Sequence, residues 1–289
     1  MEQTQEGISQ IIIGVINSIF SKMFNAVDNT VYAMLDRIVF VDKSVIEEKS
    51  FVKMYGEGGQ SGILLICNSL LLGFFVYYAF SYLLSHLTFK QIQRPSQFFF
   101  KAVMFIALMN SSLWLCGEMI NIVSLITKAI NMVCEELFDV EIGFTYFTDF
   151  LNNALERNDL TFDLFSFNGI IKAFTTVGMV NLILTYSLRY VMIQLFVLIC
   201  PFAILSMLND GTEKLFKSWL KNFLSVLFVQ IVLALILLLA FSFKYIFDVN
   251  LQKLLYVAII FAITRMNHFM KELLGGITFD IKQSIGTYM

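Results

Sequence analysis

Between Gly62 and Ser85 the chain reads GILLICNSLLLGFFVYYAFSYLLS, without one charged residue. A helix of this length crosses a hydrocarbon core of roughly 30 Å. Tyr77, Tyr78 and Tyr82 crowd its later half, as in the aromatic belt at a membrane surface. The composition points the same way. Of 289 residues, 58% are hydrophobic and 15% charged, whereas a soluble domain has about 45–50% and about 25%. The expected class is all-α: a polytopic integral membrane protein with about five transmembrane helices and an amphipathic N-terminal helix.

The N-terminal helix is read from residues 8–41. Ile8, Ile12, Val15, Ile16, Ile19, Phe20, Met23, Phe24, Val27, Val31, Met34, Leu35 and Ile38 recur with a helical period, and Ser9, Asn17, Lys22, Asn25 and Asp28 take the other side. A polar face this regular suits a helix at the membrane surface or against other helices. The Gly-rich stretch Tyr55 to Gly62 reads as a linker, so residues 1–61 form one expected unit and 62–289 the membrane domain.

Further spans are expected from about Ala102 to Thr127, within 169–208, over Leu220 to Phe243, and over Leu254 to Thr264 extended through Met270. Glu118 is the sole charge of the second; Lys172 and Arg189 interrupt the third. The acidic loop 128–168 should hold a short helix, capped by Thr148 or Asp149 and running through Glu156.

Basic loops stay in the cytoplasm. The loop 86–101 carries His86, Lys90, Arg94 and Lys101 and no acid, the gap 209–221 carries Lys214, Lys217 and Lys221, and the tail from Arg265 is basic. Together with the acidic loop outside, these signs require five crossings, N-terminus out and C-terminus in. The forty residues 169–208 then cross once, in the Tyr190 to Leu208 window. Glu118 and Arg189 fall at similar depth, so an intramembrane Glu118–Arg189 ion pair is expected. The alternative is a hairpin turning at Arg189, with six crossings.

No catalytic constellation is present. The two histidines, His86 and His268, lie outside any HExxH spacing. Neither a phosphate-binding loop nor a Gly-x-Ser-x-Gly elbow occurs. The four cysteines, Cys67, Cys116, Cys134 and Cys200, have no CxxC spacing, which argues against a metal site or a disulfide framework. The chain is expected to be no enzyme, with no cofactor and no metal. A small-molecule transporter is the alternative function; Asn68, Asn181 and Gln230 are its further polar candidates, although isolated amides in spans more often join helices.

The stretch CPFAILSMLNDGTEKLFKSWLKNFLS, Cys200 to Ser225, holds one of only two prolines. It reads as a cytoplasmic elbow between two spans. Pro201 ends a span where a lost hydrogen bond is easily replaced. Asn209-Asp210-Gly211 is turn chemistry. Lys214, Lys217 and Lys221 share a helix face for an acidic partner, nucleic acid or anionic lipid, and Trp219 suits the membrane interface beside them. The order Pro201-Phe202-Ala203, polar gap, Phe216, Trp219, Leu220 resembles the core of the TrbL family, polytopic channel subunits of conjugative type IV secretion systems, in their Gram-positive mobile-element form. The resemblance is strongest over 170–243. It implies a channel or scaffold in the bacterial plasma membrane that assembles with copies of itself and with secretion ATPases. It further implies help in passing relaxase-bound single-stranded DNA, with transient DNA contact. The few, dispersed basic residues do not by themselves form a DNA-binding stripe.

Overall fold

A computed structural model describes residues 14–16, 18–19, 29–56, 62–88, 95–154, 167–209, 211–246 and 249–274. Among them every regular element is helical: α1 (Asn29–Val39), α2 (Ser44–Glu47), α3 (Lys49–Tyr55), α4 (Ile63–Thr88), α5 (Pro95–Asn110), α6 (Ser112–Phe138), α7 (Phe144–Ala154), α8 (Phe167–Leu205), α9 (Glu213–Ile246) and α10 (Val249–Leu274). Most of the expected N-terminal helix before Asn29, most of the Gly-rich linker, the middle of the loop 86–101, Glu156 with the rest of 155–166, Asp210 and the tail from 275 lie outside the described residues.

Among the described residues, four segments are long and apolar enough to cross a membrane: Ile63–Ser85, Ser112–Phe138, Gly169–Leu208 and Glu213–Phe243. The chain is an all-α polytopic membrane protein. Two expected spans differ from this set. The run Ala102 to Thr127 is not one helix, because the chain breaks at Ser111, between α5 and α6. The last expected span lies in α10, which is not among the four found in the described residues. The hairpin at Arg189 is overturned: α8 runs unbroken for 39 residues, roughly 58 Å at about 1.5 Å per residue.

The helices pack around two apolar cores. The first joins Val41, Val45, Ile46, Phe51 and Tyr55 to α4, α5, the first half of α6, the second half of α8 and the start of α9. The second joins α1, Cys134, α7, the first half of α8, the later part of α9 and α10. Along α8 the change falls between Tyr186 and Ile193, and along α9 between Leu227 and Val229. Residue 61 is therefore no packing boundary. Tyr55, expected to begin a linker, is 1% exposed and hydrogen bonds Ser112.

Close approach explains why two glycines stand where they do. A Cβ on Gly178 would lie 2.5 Å from Ile260 Cγ2, where α8 meets α10. One on Gly143 would lie 3.0 Å from Asp36 Oδ2. Asp36, on α1, caps α7 from a distance. Its carboxylate accepts the backbone N–H groups of Phe144 (2.6 Å) and Thr145 (3.3 Å) and the Thr145 hydroxyl (2.9 Å). These are orphan donors of a helix N-terminus, and an Asp there satisfies them. The expected caps were misplaced. Thr148 lies inside α7, and its hydroxyl donates to the Phe144 and Thr145 carbonyls.

Burial raises the Asp36 pKa above its ordinary 3.8, and the hydrogen bonds from Phe144 and Thr145 only partly oppose it. The folded chain then holds the proton more tightly than the unfolded one. The stability contributed by this group is full below the ordinary value and is lost as pH rises through the raised one. Asp36→Asn keeps a capping oxygen and cannot titrate. It is expected to flatten the dependence of Tm on pH just above the carboxylate range; an unchanged slope would assign that slope to other groups.

Candidate functional site

The chain leaves helix after Val39 and re-enters it at Ser44. This irregular piece crosses the seam, with Val39 in one core and Val41 in the other. Inside an apolar bundle its peptide groups need partners, because non-helical backbone at membrane depth survives only where protein or water satisfies it. Side chains from two helices supply them, backed by a third.

Arg189, on α8, sits at the seam and is 3% exposed. Its Nη1 donates to the Val39 carbonyl and its Nε to the Val226 carbonyl of α9, each at 2.9 Å. Its Nη2 has no hydrogen-bond partner among the described residues. Gln230, on α9, grips both backbone polar groups of one residue. Its Oε1 accepts the Val41 N–H at 3.0 Å, and its Nε2 donates to the Val41 carbonyl at 3.2 Å and to Thr127 Oγ1 of α6 at 3.3 Å. Further along, Gln194 Nε2 donates to the Val45 carbonyl at 3.4 Å. Asp42 Oδ1 accepts the Ser44 N–H at 3.0 Å, the local turn that starts α2.

The expected Glu118–Arg189 ion pair is not what forms. Glu118 instead pairs with Lys43 at 3.1 Å and accepts from Asn121 at 3.4 Å. Arg189 is met by carbonyls. The reason is the N-terminal segment, which enters the bundle and brings its own cation to Glu118 and its own backbone to Arg189. Gly117 permits this seating, since a Cβ there would lie 3.0 Å from Lys43 Cε and 3.1 Å from Ile46 Cδ1. Gln230 was legible as a polar residue in a span, but its partner was not. Lys43, Gln194 and Thr127 carried no signal; the sequence separation of Lys43 from Glu118 is 75 residues. Asp42-Lys43-Ser44 did carry turn chemistry, which a reading of 8–41 as one periodic helix passes over.

The elbow is the second element. Pro201 lies inside α8, near its end, and its missing N–H deprives the Val197 carbonyl of its helical donor. One residue before, the Phe196 carbonyl accepts Trp219 Nε1 at 2.9 Å. Trp219 thus turns away from the exposed lysines and packs inward. It is 7% exposed, stacked on Phe223 at 5.4 Å and tilted against Phe216 at 5.7 Å, and ties α9 to the proline-bearing turn of α8. Asn209 Oδ1 accepts the Gly211 N–H at 3.1 Å, and Thr212 Oγ1 donates to the Ser206 carbonyl at 2.6 Å. Lys214, Lys217 and Lys221 are exposed; Lys217 pairs with Glu213 at 2.7 Å. Cys67, Cys116, Cys134 and Cys200 are buried free thiols. No protein-family model, curated protein or solved structure matches the chain.

Proposed function

We propose that this protein is a membrane channel or scaffold subunit of a conjugative type IV secretion system. In that role it helps relaxase-bound single-stranded DNA across the bacterial plasma membrane, together with copies of itself and the secretion ATPases. The observation that carries the reading is the elbow. Pro201, Phe202 and Ala203 end α8, and Phe216, Trp219 and Leu220 open α9. These residues carry the resemblance to the TrbL family, and the bond from Trp219 to Phe196 gives the aromatic position a structural task within the motif. On this reading the N-terminus lies outside, and the exposed lysines of the elbow face the cytoplasm, where the positive-inside preference places them.

The test is an in-frame deletion in the donor cell. Transfer of the element is expected to fall to background and to return when the full chain is supplied in trans. Transfer at the parental frequency without the chain would remove the secretion assignment.

A further inference from the structure

The seat of the N-terminal segment is built from expensive parts. A permanent strap needs hydrogen-bond partners for its irregular backbone, and uncharged amides and hydroxyls suffice for that. Here three helices present Glu118 (α6), Arg189 and Gln194 (α8) and Gln230 (α9, itself held by Thr127 of α6) to one short stretch of chain. Ionisable and amide groups within membrane helices are costly and tend to face a polar path. One of them is a buried guanidinium whose partners are carbonyls and whose Nη2 is unsatisfied.

Two arrangements supply partners to these groups. In the observed one, the backbone of Val39, Val41 and Val45 does so. In the other, the segment withdraws and water takes its place, since the carbonyls and the Val41 N–H are bonded by side-chain tips that water can replace one for one. We infer that residues 39–46 are a displaceable plug, and that the polar residues gripping it line a water-filled path between α6, α8 and α9 once it leaves. The Lys43–Glu118 pair is the latch. It is the one ion pair between the segment and the bundle among the described residues, and both side chains are only partly buried, at 35% and 36% exposure. The path deepens the channel reading above and rests on it for its biological cargo.

The full-length protein in phosphatidylethanolamine–phosphatidylglycerol vesicles loaded with carboxyfluorescein tests the plug. Lys43→Glu and Glu118→Lys are each expected to release the dye severalfold faster than the unaltered chain. The double swap, which rebuilds the pair with its signs reversed, should restore slow release. Gly117→Val, which pushes against Lys43 and Ile46 without changing charge, should also accelerate release and serves if a charge variant fails to fold. Folded variants that release dye at the parental rate would overturn the plug, and so would single-variant leak that the double swap does not reduce. Dye release is independent of transfer between cells. A chain that leaks as expected yet is dispensable for conjugation keeps the plug and loses the secretion role.

Discussion

Gln230→Leu is expected to be among the most damaging single substitutions that conserve volume. The glutamine is 2% exposed and bonds both the N–H and the carbonyl of Val41. Leucine removes both partners at once. Each buried polar group left unsatisfied costs about 1–3 kcal/mol, so the loss reaches several kcal/mol before the apolar gain of leucine offsets part of it. Side-chain hydrogen bonds in membrane helices average only about 0.6 kcal/mol, because the freed groups find other partners. Val41 is 1% exposed between apolar side chains, which keeps water from acting as that partner. For a chain of this size a loss of several kcal/mol corresponds to a Tm lower by roughly 5–15 °C. Gln194→Leu is the control. It gives up one long bond, 3.4 Å to the Val45 carbonyl, and its Tm should stay within a few degrees of the parent by the same scale. Equal shifts in the two variants would mean that the grip on Val41 contributes nothing special.

The class of the protein was legible because it follows from local composition. An uncharged run from Gly62 to Ser85 is a membrane helix whatever its neighbours are, and the helix over it is as expected. The turn Asn209 to Gly211 was legible for the same reason: an Asn side chain caps its own turn within two residues. What failed was everything decided by distant partners. Glu118 and Arg189 looked complementary as opposite charges at similar depth. Both found partners instead on a segment whose amphipathic pattern argued for packing without saying where. Trp219 was read as an interfacial residue, and its bond to the Phe196 carbonyl, 23 positions earlier, was not legible. Asp36 gave no signal in the sequence, although its carboxylate caps a helix more than a hundred positions later. Charge and period can show that a residue needs a partner; the identity of that partner depends on the topology.

The second large effect concerns the latch itself and needs no mutation. Lys43 Nζ lies 3.1 Å from Glu118 Oε1, and 3.9 Å from Glu47 Oε1 one turn away. A zero-length carbodiimide joins an amine to a carboxylate only when they already touch. If residues 39–46 are seated between α6, α8 and α9, the purified protein in vesicles must yield a covalent peptide linking Lys43 to Glu118 across 75 positions of sequence. The exposed pair Lys217–Glu213, at 2.7 Å, reports that the reagent has worked. The outcome is close to all-or-none, because a segment outside the bundle has no route to Glu118. Mass spectrometry of the digested, coupled protein is the direct measurement. A Lys43–Glu118 link appearing alongside Lys217–Glu213 is the predicted result. A Lys217–Glu213 link with Lys43 joined only to Glu47, or to nothing, would contradict the seating of the N-terminal segment on which the polar junction, the latch and the plug all depend.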